Sequence, residues 1–460
     1  MIRHRIFILS LVVSIISANA RAQHLPAFKP LRYDEDYSWL KKDSMTDFYK
    51  RMKYLPLSAN GNTYLGYGGD VRFQYFYSKN EAWGDAPKDD DGYILTRWLG
   101  HADLHVGKHF RTFVQLQSSL ANSRIDPSPV DENPLELHQA FVDVSPVVSG
   151  KTNLTFRLGR QELMYGSQRL VSVREGPNNR QSFDAVRTIL TSGDYRVDAF
   201  YSHFVKAEPG IFDDGFNKNV KFWGAYLVRN KMALVHNIDL YYLGLWKRNA
   251  TFNDGSGTET RHSVGTRLWK SNGDWKYDME GLFQFGKFAG KTISAWTASI
   301  NTSYEFSEAR FKPEIGFKAE LISGDKHKDD NKLQTFNPLF PRGAYFGLAA
   351  LIGPANMLDM HPSVSLKLTD KVNLGIDYDM FWRYSKNDGL YAVNVALIYP
   401  DGNSGKAKIG NQLATNLGYQ ANDFLYLQGE FTWFNAGSYL KEVGSGKDIL
   451  FTGATVQFKF

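Results

Sequence analysis

Arginine carries the clearest chemical signature in this sequence. Arg160, Arg169, Arg174, Arg180 and Arg187 crowd into one stretch, and Arg72, Arg97, Arg157, Arg310 and Arg383 recur at one parity of alternating segments elsewhere. A guanidinium stays charged and offers a planar fork that grips a carboxylate through two hydrogen bonds. Many weak sites in a row let an anionic chain move along a wall, whereas one tight site traps it. These arginines are therefore the candidate solute-binding residues, and the crowded group is expected to build a basic constriction. Gly159 and Gly166 beside it are expected to permit a bend or bulge. Arg111, Arg196, Arg267, Lys312 and Lys318 share the same parity. So do Asp70, Asp103, Asp198, Glu280, Glu314, Glu320, Asp377 and Asp379, and the competing reading is a ladder of salt bridges that braces the wall.

Other chemistries find less support. Cysteine is absent, which excludes disulfides, thiolate nucleophiles and cysteine metal sites. There is no His-Glu-x-x-His, no Gly-x-Ser-x-Gly and no phosphate-binding glycine loop with lysine. His101 and His105 share one strand face, but neighbouring acids suffice to hydrogen-bond them. Asp89, Asp90 and Asp91 read as a solvated acidic loop. No catalytic residue, metal or cofactor is expected. A net charge of +6 without a long basic run gives no sign of nucleic acid.

The elements that must position the arginines follow from periodicity. Arg3, His4 and Arg5 precede an apolar run from Ile6 to Ile16 and then Ala18, Ala20 and Ala22, the pattern of an export signal peptide cleaved after Ala22. No later run approaches the ~18 apolar residues of a membrane helix. Period-two alternation dominates instead. Leu450, Thr452, Ala454, Val456, Phe458 and Phe460 share one face of the last segment, and Phe451, Gly453, Thr455, Gln457 and Lys459 share the other. The same pattern marks Asp70–Tyr77, Arg97–Val106, Arg310–Leu321 and Val372–Arg383. Half of each barrel strand faces a polar lumen, so a mean hydropathy of -0.38 is compatible with a membrane barrel. The aromatic content of 15% suits girdles at two membrane interfaces. The expectation is an all-β chain: an antiparallel transmembrane barrel of about 18 strands over residues 61–460, wide enough for an aqueous lumen. Residues 23–60 lack alternation, apart from a helix-like run from Asp43 to Met52, and are expected to form a periplasmic or lumenal segment. Asp85–Gly92, Gly324–Asn337 and Lys386–Gly405 read as extracellular loops.

Particular motifs add to the pattern. Leu158-Gly159-Arg160-Gln161-Glu162-Leu163, Tyr165-Gly166, Gln168-Arg169-Leu170 and Asn178-Asn179-Arg180-Gln181-Ser182-Phe183-Asp184-Ala185-Val186-Arg187 resemble the alginate-export family of outer-membrane proteins. Leu31 to Tyr37, Gly68 to Arg72, Phe336 to Gly343 and Phe381 to Arg383 support it. The resemblance implies a monomeric barrel of the Gram-negative outer membrane with an arginine-rich lumen that passes anionic polysaccharide. It also implies lipid and lipopolysaccharide as surroundings, and the terminal Phe460 as the signal to the barrel assembly machinery. An uptake porin for other small solutes and an outer-membrane enzyme remain the alternatives.

Overall fold

The computed structural model describes residues 27–42, 47–328 and 330–460, and the expected signal peptide lies outside them. Residues 27–35 belong to a separate unit and form one 3-10 turn, Arg32–Asp34, tied by an Arg32–Glu35 ion pair of 2.7 Å.

From Thr63 onward, alternating residues build long strands: β1 (Thr63–Lys79), β2 (Tyr93–Val106), β3 (Phe110–Asn122), β4 (Asn133–Ser149), β5 (Thr152–Gln161), β6 (Phe183–Ser192), β7 (Tyr195–Lys206), β8 (Gly215–Met232), β9 (His236–Phe252), β10 (Gly255–Lys270), β11 (Trp275–Phe288), β12 (Lys291–Glu305), β13 (Glu314–Ile322), β14 (Met357–Lys367), β15 (Val372–Arg383), β16 (Lys408–Gln420), β17 (Leu425–Ala436) and β18 (Ile449–Lys459). Each pairs antiparallel with its neighbour in sequence, and β18 returns to β1 in a register running from Asp70–Lys459 to Lys79–Leu450. The result is a closed barrel of 18 strands among the described residues. Closure is what hydrocarbon demands, because no edge N–H or C=O is left without a partner.

Alternation then sorts the side chains. Leu158, Val186, Ile315, Leu417 and Val456 are exposed on the outer face, whereas Arg72, Arg97, Arg157 and Arg187 are buried on the inner one. One end of the barrel closes mostly with tight turns; Gly107, at φ 62°, and Gly193, at φ 57°, supply left-handed turn residues there. The other end carries long connections at 123–132, 162–182, 323–356 and 384–407. Short periplasmic turns and long extracellular loops are the usual orientation in outer-membrane barrels.

Two expectations change. The strand expected from Arg310 begins only at Glu314, and Arg310 lies exposed in the turn before it, over the Phe311 ring at 4.6 Å. Phe311 (φ 65°) and Lys312 (φ 41°) are left-handed, and Pro313 has no N–H to give a ladder. Arg310 is thus no part of the lumenal wall. The stretch Gly324–Asn337, expected as an extracellular loop, opens a longer segment, 323–356, that buries Phe336, Tyr345, Phe346 and Ile352 in an aromatic core with Phe222, Phe381 and Phe434 of the wall. Its apolar residues gain more from that core than from water.

Before the barrel, helix α1 (Phe48–Lys53) is capped by the Asp47 side chain, which accepts from the Tyr49 N–H at 2.9 Å. Residues 43–46, where the expected helical run begins, lie outside the described residues. The chain then crosses the inner face of β1: Tyr54 stacks on Tyr64 at 4.3 Å, and Lys53 O would stand 2.8 Å from a Cβ at Gly66. Gly66 thus permits the close approach of two backbones.

Candidate constriction of the channel

The segment 162–182 turns back into the barrel instead of spanning outward. The Asn178 side-chain amide donates to Thr96 O, Leu120 O and Asp131 O at 2.9–3.2 Å, fastening the segment to β2, β3 and the connection after β3. The segment 323–356 meets it there. Ser172 N donates to Phe340 O at 3.0 Å, Phe340 N to Leu170 O at 2.9 Å, and Arg342 N to Gln168 O at 3.1 Å. Two loops thereby form one bridge inside the barrel, and the arginines sort around it.

Arg72, Arg97 and Arg180 converge on Glu175. The Glu175 carboxylate lies 2.6 Å from Arg97 Nη2, 3.0 Å from Arg180 Nη1 and 3.8 Å from Arg72 Nη1. Arg72 also donates to Glu175 O at 2.7 Å and Pro177 O at 2.9 Å. The arginine side chains are nearly inaccessible, yet that of Glu175 remains 46% exposed to the lumen. Burial alone pushes the Glu175 carboxyl up, but Arg97, Arg180 and Arg72 together hold it well below the usual carboxylate range. Glu162 takes the other side of Arg180 at 2.7 Å.

Arg169 reaches across the lumen and pins the same loop to the far wall, 2.7 Å from Glu320 and 3.5 Å from Glu280. Arg157 grips Asp143 with two bonds of 2.7 and 2.8 Å, and Arg187 holds Asp198 at 2.7 Å. Those two brace the wall. Arg160 stands on the outward parity with Leu158 and pairs with Asp184 at 2.9 Å, so it is not lumenal. The ladder keeps its register through Gly159, which takes φ 129° without a bulge, while Gly166 turns the loop at φ 56°. Arg383 spends its donors on backbone carbonyls, including Asp388 O at 3.1 Å and Ser404 O at 2.8 Å, and stacks 3.8 Å over Tyr439. It fastens the 384–407 loop and does not face solute.

Arg174 is different. It sits half-buried at the loop tip with φ 59°, its N–H bonded to the Ser172 hydroxyl at 3.0 Å, and among the described residues no carboxylate pairs with it. Burial lowers its pKa with no acid to offset the effect. On the facing loop, exposed Arg342 pairs with no carboxylate among the described residues and lies instead 5.3 Å from the centre of the Tyr345 ring. Parity arguments miss Glu175, Glu162 and Arg342 because they lie on loops; the one sequence signal for Glu175 is its place inside the arginine-rich stretch.

The connections 323–356 and 384–407 are locked together by acids. Asp388 accepts from Asp325 N at 2.8 Å and from the Thr335 and Tyr391 hydroxyls at 2.6 Å. Burial pushes the Asp325 carboxyl up to about 7; an N–H from Gln334 pulls the other way, while Asp254, Asp388 and Asp330 raise it further. The folded lock therefore prefers a neutral Asp325, whereas a released loop ionises near pH 4. The lock is strongest below pH 4 and weakens as pH rises toward 7. Asp325→Asn is expected to flatten that dependence, read as trypsin cleavage of the loops between pH 4 and 8; an unchanged profile would count against Asp325 as the titrating group.

A closed barrel with loops folded into a polar lumen defines a porin-type channel of the outer membrane. The chain belongs to the alginate export family, whose match covers residues 63–448. No curated protein matches it. Among solved structures it is similar to OccK2 (OpdF) of Pseudomonas aeruginosa in complex with glucuronate, at 10% identity and a TM-score of 0.55 over 86% of this chain and 96% of that one. It is also similar to a BenF-like porin from Pseudomonas fluorescens Pf-5, at 8% identity and a TM-score of 0.57 over 86% and 98%. At such identities the likeness shows the fold. The protein is an outer-membrane channel for solutes.

Proposed function

We propose that this channel passes anionic saccharides of the uronate class through the bridge between its two inserted loops. The observation that carries the reading is Arg174, a half-buried guanidinium on the loop folded into the barrel, with its Nε unsatisfied and no carboxylate of its own among the described residues. Arg342 opposite supplies a second such cation, and the cage around Glu175 displays how this lumen holds a carboxylate. That OccK2 has been solved with glucuronate favours the same solute class. Saccharide hydroxyls would meet the many lumenal amides and tyrosines, and the carboxylates would step between guanidinium groups.

The test is single-channel recording of the refolded protein in a planar bilayer, with glucuronate and alginate oligomers added to one side. Anion-selective conductance blocked by the oligomers is expected, with block weakened in Arg174→Ala and nearly lost in the double variant with Arg342→Ala. Conductance indifferent to the oligomers would overturn the uronate reading and move the cargo to another solute.

A further inference from the structure

Beyond the solute path, the inner faces of β13, β14 and β15 gather more acid than the nearby cations neutralise. Glu320, Asp359, His361, Asp377 and Asp379 stand together there. Lys318 lies 3.0 Å from Glu320, and Arg169 lies 2.7 Å from it on another side. That leaves Asp359, Asp377 and Asp379 around one imidazole. His361 Nε2 is 2.7 Å from Asp359 Oδ1, and its Nδ1 pairs with Asp379 Oδ1. Gln412 donates to Asp379 Oδ2 at 2.6 Å. Asp359 and Asp379 are 1% and 2% exposed, and Asp359 Oδ2 and Asp377 Oδ1 are buried oxygens that accept no hydrogen bond. Carboxylates packed this closely do not all ionise unless a proton or a cation sits among them.

We propose that this cluster binds a divalent transition-metal ion such as Zn2+. Donor atoms of His361, Asp377 and Asp379 all lie within 4.8 Å of one another, close enough to converge on one ion. One imidazole nitrogen and two carboxylates suit a borderline ion such as Zn2+. With Asp359 accepting from Nε2–H behind the ring, loss of the Nδ1 proton would leave a lone pair facing Asp377 and Asp379. A buried acid orienting a ligating histidine is the usual support of such sites. Asp377, half-buried, is the most exposed of the ligands and leaves a coordination position for water. The ion would displace the proton on Nδ1 and tie β14 to β15 beside Phe346, whose ring stacks on His361 at 5.3 Å.

Isothermal titration of the refolded full chain with Zn2+ at pH 7 tests this without reference to transport. One ion per barrel is expected. Binding should vanish in Asp377→Asn/Asp379→Asn and weaken roughly 10–100-fold in Asp359→Asn, which removes only the supporting acid. Circular dichroism would establish that each variant is folded. No binding by the unaltered protein, or equal binding by the folded Asp377→Asn/Asp379→Asn variant, would overturn the proposal and leave a shared proton as what neutralises the cluster.

Discussion

Replacing Arg169 with Ala is expected to loosen the constriction and destabilise the barrel together. Arg169 is the brace between the inserted loop 162–182 and the far wall, and it neutralises Glu320 and Glu280 at 2.7 and 3.5 Å. Its side chain is only 9% exposed, so water does not replace it. Burial alone would push its pKa down, but Glu320, Tyr345 and Glu280 hold it above the ordinary value, so it stays charged at any working pH. Removing one partner of a buried ion pair costs about 3–5 kcal/mol, because the other charge is left uncompensated. Lys318 stays beside Glu320 and softens the loss. The expected results are a lower melting temperature and larger, noisier single-channel currents as the loop tip moves. Arg169→Ala with Glu320→Gln should recover part of the stability but not the loop position. A variant with unchanged current and melting would remove Arg169 from any bracing role.

The second large effect is expected at Glu175. Its carboxylate neutralises Arg72, Arg97 and Arg180 while remaining open to the lumen, so it stands where a solute carboxylate could bind. Glu175→Gln keeps the shape and removes the charge. Reversal potentials under a salt gradient should shift toward stronger anion selectivity, and block by glucuronate should tighten, because the arginines then lack their resident anion. The same change also lowers stability, because the three guanidinium groups lose the anion between them, and the 46% exposure of Glu175 keeps that loss below the cost of breaking a fully buried pair. Greater selectivity with lower stability is a pair of changes that simple unfolding does not produce. Unchanged selectivity in a folded Glu175→Gln channel would mean that the cage does not face the ion path.

Taken residue by residue, much of the barrel was legible without coordinates. The alternation of Leu450 to Phe460, Asp70 to Tyr77 and Val372 to Arg383 set which side chains meet lipid and which meet the lumen, because successive residues in a strand point to opposite faces. Parity likewise placed Arg72, Arg97, Arg157, Asp198, Glu280 and Glu320 inside. It failed where backbone geometry departs from the strand. Arg310 sits in a left-handed turn, and Arg169, Arg174 and Arg180 ride on a loop that has no period to read. Tertiary structure alone decided that this loop and 323–356 fold inward and meet, that three arginines share Glu175, and that Arg174 keeps no acid partner among the described residues. A strand's two-residue repeat is a local property and is written in the sequence. The pairing of a guanidinium with a carboxylate on another strand or loop depends on which surfaces closure brings within 3 to 4 Å, the range over which such pairs form, and no local pattern records that distance.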